Sequence, residues 1–188
     1  MNILYIGKNR MAENIFFSSF VNYKFGNLIL SSNKQKDYNL KTNKIYQYSK
    51  MNELNFIDIF ELNKDTIIKI IKENNIELIF CIGHEIKLSS KVINFVKGKA
   101  FYLEILNLPQ FKDKFVLTNN NLKENKLLYS SIKWFDVKSH GKLYLIRKSF
   151  KLNLNQSSTS ISNKMQNNCI KISKQFIDLI KRNKFSKN

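Results

Sequence analysis

Short apolar runs alternate with longer segments of helical period through the first two thirds of the chain. Ile3, Leu4, Tyr5 and Ile6 form a continuous apolar run that stops at Gly7, as a strand buried on both faces does. Residues 11–20 then read as a helix, and Asn27 to Leu30 as a second strand. Residues 31–55 are polar and poorly periodic, with Ile45-Tyr46-Gln47-Tyr48 as a candidate short strand. Asn63 is placed to cap a helix that turns Ile67, Ile68, Ile70 and Ile71 toward a core. The run Ile76 to Ile82 is the clearest strand signal and ends at Gly83. Ser89 is placed to cap a short helix carrying Val92, Ile93 and Val96, and a strand over 100–105 follows. Repeated βαβ units of this kind predict a parallel sheet with helices on its faces.

The last third changes character. Residues 122–134 read as helical. Phe150, Leu152 and Leu154 alternate with Lys151 and Asn153, which suits a half-exposed antiparallel strand. From about residue 157 to 183 a long amphipathic helix lines up Ile161, Met165, Cys169, Ile172, Phe176 and Leu179 on one stripe. No repeat or linker divides the chain. The reading is therefore one α/β domain over 1–184, with residues 185–188 fraying: an open, mostly parallel sheet, helices on both faces, a late antiparallel strand and a long C-terminal helix.

Composition narrows the class. The 188 residues are 43% hydrophobic and 13% aromatic, enough for an ordinary core and incompatible with wholesale disorder. No apolar run reaches the roughly 18 residues of a membrane span, and no basic segment precedes a long apolar one as in a signal peptide. Neither a membrane nor secretion is expected. Cys81 and Cys169 lie far apart inside apolar stretches, the pattern of buried thiols in a reducing cytoplasm. His84 and His140 have no partner at zinc-ligand spacing, so no metal is expected. Gly7 stands alone, without the further glycines or Gly-Lys-Ser/Thr of phosphate-binding loops.

The net charge is +18, yet Arg10, Arg147 and Arg182 are the only arginines among 32 basic residues. Lysine accompanied by abundant asparagine and isoleucine is the mixture an A- and T-rich genome produces. Nucleic-acid recognition usually recruits the forked guanidinium, so a solvated lysine surface is favoured over a polyanion-binding face. Nucleic acid remains a less favoured partner, and nothing in the pattern fixes an oligomeric state.

The informative stretch is Cys81-Ile82-Gly83-His84-Glu85-Ile86-Lys87-Leu88, followed by Leu106-Asn107-Leu108-Pro109-Gln110-Phe111-Lys112. A strand ends in Gly-aromatic-x-Ile, a helix and a strand follow, and the single proline sits in a Leu-Pro-x-aromatic-basic turn. Together with the Met-x-Ile-Leu-x-x-Gly start and Gly141 before an apolar strand, this order resembles the formyltransferase family. Its members move a formyl group from 10-formyltetrahydrofolate to an amine. The resemblance implies a folate crevice outside the carboxyl ends of the strands, bordered by Gly83, His84, Ile86, Leu108 and Pro109.

It also implies where the chemistry lies. The family carries Asn-x-His upstream of the Leu-Pro turn and Asp-x-Gly before the later strand. Counted from Pro109 and Gly141, those positions hold Tyr102, Glu104 and Ser139 in this chain. The reaction needs a base for the attacking amine and donors for the oxyanion. Glu104 is the candidate base, Tyr102 the candidate donor, and His140, beside Ser139, a candidate helper. Strand alternation puts Tyr102 and Glu104 on one face, where the carboxylate must be solvated, protonated, or paired with lysine, His84 or His140. Two functions follow from the resemblance: formyl transfer to a small amine such as an amino sugar nucleotide, or a formyltransferase-fold binding protein without the reaction. An RNA-binding accessory is the third reading.

Overall fold

A computed structural model describes residues 1–7, 10–32, 43–82, 88–106, 127–135, 144–151 and 156–182. Seven strands form one sheet: β1 (Ile3–Gly7), β2 (Leu28–Ser32), β3 (Phe56–Asp58), β4 (Leu78–Ile82), β5 (Ala100–Leu106), β6 (Leu127–Trp134) and β7 (Tyr144–Lys151). Their spatial order is β3-β2-β1-β4-β5-β6-β7. The first five are parallel, and β6 and β7 are antiparallel to their neighbours. The expected class, a mostly parallel α/β sheet with an antiparallel end and a long final helix, is the observed one.

The helices are α1 (Arg10–Ile15, continued by a π-helical turn over Phe16–Phe20), α2 (Lys44–Met51), α3 (Lys64–Glu73), α4 (Ser90–Phe95) and α5 (Ser158–Lys181). The starts of α3 and α4 follow the capping residues expected. Asn63 accepts from the amides of Asp65 and Thr66, and Ser89 from that of Val92.

Two cores flank the sheet. On one face Ile3, Tyr5, Phe80 and Phe101 meet α1 and α5 through Phe16, Phe20, Cys169 and Phe176. On the other Leu4, Ile6, Ile79 and Cys81 meet α3 and α4 through Ile67, Ile71 and Val92. In α5 the stripe Ile161, Met165, Cys169, Ile172 and Phe176 is buried, whereas Leu179 is half-buried and Ile177 and Ile180 complete the apolar face. Both cysteines are free and buried.

Three elements differ from expectation. Ile45 to Tyr48 form a helix, not a strand. Asn43 accepts from the amides of Ile45 and Tyr46, and Ile45 and Ser49, four apart, turn inward together. The cap outweighs the β-favouring side chains. Residues 127–134 form strand β6, not a helix; the rest of that expected helix lies outside the described residues. Between β5 and β7 it pairs on both sides and is buried on both faces: Ile132 and Trp134 enter the α5-side core, and Ser131 and Lys133 are buried on the opposite face. Tertiary pairing overrides a local apolar spacing that mimics a helix. The short edge strand β3 carries no sequence signal of its own. The expected half-exposed strand around Phe150 is β7, which lies earlier than the alternation suggested; Leu152 and Leu154 fall outside the described residues.

Candidate functional site

The carboxyl ends of the parallel strands are tied together by side chains of their own. The Ser32 hydroxyl donates to the Gly7 carbonyl at 2.5 Å, and Asn43 Nδ2 donates to Ser32 Oγ at 2.7 Å. Tyr5 Oη donates to the Ala12 carbonyl at 2.6 Å, drawing α1 onto the end of β1. A Cβ on Gly7 would stand 2.6 Å from Ala12 Cβ, so this close approach requires glycine.

At the join of the parallel and antiparallel parts the sheet changes chemistry. Leu103 pairs with Ile82, the last residue of β4, and Glu104 is one position beyond. Phe101 and Leu103 enter the α5-side core, so Tyr102 and Glu104 share the opposite face, as alternation requires. The antiparallel register sets Tyr102 opposite Lys133 and Glu104 opposite Ser131. The Lys133 ammonium forms an ion pair with Glu104 Oε2; the lysine side chain is 8% exposed and the glutamate 29%. It also lies 5.7 Å from the Tyr102 ring centroid and 4.9 Å from that of Tyr144, and Tyr102 packs against Phe135 at 4.8 Å.

The pairing fixes the charge state of the lysine. Burial alone would pull the Lys133 ammonium down, but the hydrogen bond and charge of Glu104, aided by Tyr102 and Tyr144, outweigh it and hold its pKa above the ordinary value. Burial raises the Tyr102 phenol, against the lowering influence of Lys133. At neutral pH the site sets a protonated lysine and a neutral phenol beside the Glu104 side chain. It can accept one proton and donate several hydrogen bonds, and it offers no neutral amine nucleophile.

Two of the expected site residues, Tyr102 and Glu104, are thus brought together on one face. His140, Gly83, His84, Ile86, Leu108 and Pro109 lie outside the described residues, as do Ser139 and Gly141. Lys133 was missed. It falls in the segment that reads as helical, and only the alternation Tyr129, Ser131, Lys133 against Ser130, Ile132, Trp134 could have aligned it with Tyr102.

No protein-family model matches the chain, and no curated protein matches its sequence. Solved structures do match. Phosphoribosylglycinamide formyltransferase from Bacillus halodurans superposes with a TM-score of 0.69 at 14% identity, over 95% of each chain. The chain has the formyltransferase fold. A sugar 3N-formyltransferase, WlaRD, solved in the presence of dTDP and 5-N-formyl-THF, matches with a TM-score of 0.63 at 16% identity, over 97% of this chain and 64% of its own. A formyltetrahydrofolate deformylase from Pseudomonas putida matches with a TM-score of 0.63 at 11% identity, over 91% of this chain and 62% of its own. Among the described residues no helix is long and apolar enough to cross a membrane.

Proposed function

We propose that the chain transfers a formyl group from 10-formyltetrahydrofolate, a substrate consumed in each turnover, to the amine of a small acceptor such as an amino sugar nucleotide. The observation that carries this reading is the Glu104–Lys133 pair at the end of β5, on a fold that superposes along 95% of its length with a formyltransferase. The reaction asks for a base and an oxyanion donor, and the pair supplies one of each. As the amine attacks the formyl carbon, a C–N bond forms and the carbonyl π pair moves onto oxygen. Glu104 takes the amine proton and so loses its charge. Lys133, released from its partner, donates to the new oxyanion. The oxyanion pair then re-forms the carbonyl as the bond to the folate nitrogen breaks. Glu104 passes its proton to that nitrogen, which leaves as the amine of tetrahydrofolate and restores the ion pair. Tyr102 supplies a further donor, and Tyr102 with Phe135 supplies an apolar wall that limits solvation of the pair.

The same pair favours a second reading, a ligand-binding protein of this fold without the reaction. A carboxylate engaged by a lysine must give up that partner before it can take a proton from an amine. Calorimetry with a non-hydrolysable folate analogue, followed by a transfer assay over a panel of amines, separates the two. Transfer requires binding and turnover, and Glu104→Gln then lowers turnover on the order of 10²-fold or more with folate affinity nearly unchanged. Binding without turnover establishes the second reading. No binding at millimolar ligand removes the first.

A further inference from the structure

The face that carries Glu104 and Lys133 continues across β6 and β7 beyond the groups the proposed reaction uses. Tyr129, Ser131 and Lys133 of β6 share it, as do Tyr144 and Arg147 of β7, because Ser131 pairs with Arg147 and Lys133 with Tyr144. A register shift after Ile132 brings Tyr144 into line. The Arg147 guanidinium lies 3.9 Å from the Tyr129 ring centroid and 4.9 Å from that of Tyr144. Its exposed edge is therefore held in place by two rings instead of sweeping through solvent. Neither β6 nor β7 contains an Asp or Glu. Glu104, the acidic neighbour across the sheet, is already engaged by Lys133.

A second observation lies between these groups. Ser131 is flanked in register by Glu104 on one side and Arg147 on the other, and it is wholly buried. Its hydroxyl has no hydrogen-bond partner among the described residues. A buried hydroxyl left unpaired costs free energy that a ligand's oxygen would recover. Adjacent strands lie about 4.8 Å apart, so Arg147 stands about 10 Å from Glu104 across the sheet.

We propose that Arg147, with Ser131 opposite it in register and Tyr129 and Tyr144 against its guanidinium, is an oxyanion subsite that takes the phosphate or carboxylate group of a small ligand. The fork of the guanidinium matches two oxygens of either group, and the tyrosines form a flat surface for a ring next to it. The subsite stands apart from formyl transfer, since anion binding can be measured without turnover.

The test uses neighbouring residues of β7 as each other's control. Arg147 and Lys148 are both exposed and point to opposite faces, so Arg147→Gln and Lys148→Gln remove the same charge from the same strand. Calorimetry on the full chain at fixed ionic strength uses inorganic pyrophosphate for the phosphate arm and tri-glutamate for the carboxylate arm. Arg147→Gln is expected to weaken at least one probe about tenfold or more, and Lys148→Gln by less than about twofold. Arg147→Lys keeps the charge and loses the fork, and is expected to fall between. The arm that responds identifies the group. Equal losses in the two Gln variants would show only the general attraction of a +18 chain and overturn the proposal. Absence of binding by both probes at about 10 mM would overturn it as well.

Discussion

The parallel part of the sheet and its antiparallel extension are built on opposite terms. In β1 and β4 every residue is buried, and the side chains are aliphatic, aromatic, cysteine or glycine. Helices cover both sides of these strands. In β7 no residue is fully buried, and β6 buries Ser130, Ser131 and Lys133 beside Ile132 and Trp134. The centre of the first region, β1 and β4, is held by apolar packing, and the region's buried hydroxyls on Tyr5 and Ser32 serve to tie the backbone together. The second accepts the cost of buried polar groups and so has side chains that can bind or react. The proposed transfer site lies at the seam between them, where one face of β5 belongs to the core and the other carries Glu104.

The sharpest way to break this contrast is to open the apolar core. Phe176 of α5 is fully buried, with its ring 4.7 Å from that of Phe80 and 4.9 Å from that of Phe101. Phe176→Ala is expected to cost about 3–5 kcal/mol in urea denaturation. A loss below about 1 kcal/mol would mean that α5 does not close this face of the parallel strands. The extension is expected to respond differently. Lys133→Met leaves Glu104 without its partner and should cost about 1–3 kcal/mol, moderated because the Glu104 side chain keeps some solvent. Adding Glu104→Leu to Lys133→Met should recover most of that, since a pair removed together leaves no uncompensated charge. Simple additivity in the cycle would deny the coupling.

The same contrast explains what could be read from the chain. A strand buried on both faces must be apolar throughout, so Ile3 to Ile6 and Leu78 to Ile82 announce themselves. A strand with one polar face shares its residues with many other patterns. In β6, Leu128 and Ile132 sit four apart as on a helix, and only the partners on either side decide between the two periods. Helix α2 failed for the complementary reason: its tyrosines and isoleucine favour strands, and the Asn43 cap that determines it is a single residue in a polar stretch. Tyr102 and Glu104 were legible as a pair because alternation within one strand needs no tertiary knowledge. Lys133 was not legible, because its role comes from a register between strands about 30 residues apart in sequence.

The smallest effect concerns proton binding, and here too the regions separate. Lys133 has a pKa raised above its ordinary 10.5 in the folded chain, so the folded state holds that proton more tightly than the unfolded one. Its contribution is complete below pH 10.5 and is lost as pH rises through the raised value. Across neutral pH it should be flat. Tyr5, in the parallel region, is raised well above its ordinary 10.0, chiefly by burial, and it too loses native stability as the solution turns alkaline. Wild type therefore weakens above about pH 10 for reasons in both halves of the sheet. Comparison with Lys133→Met separates them, because Tyr5 is common to both proteins. The stability difference between the two, measured by urea denaturation, should be constant from pH 7 to 10 and should shift against wild type above pH 10.5. A difference that moved instead between pH 5 and 8 would place the responsible group elsewhere and remove Lys133 as the protonated partner of Glu104.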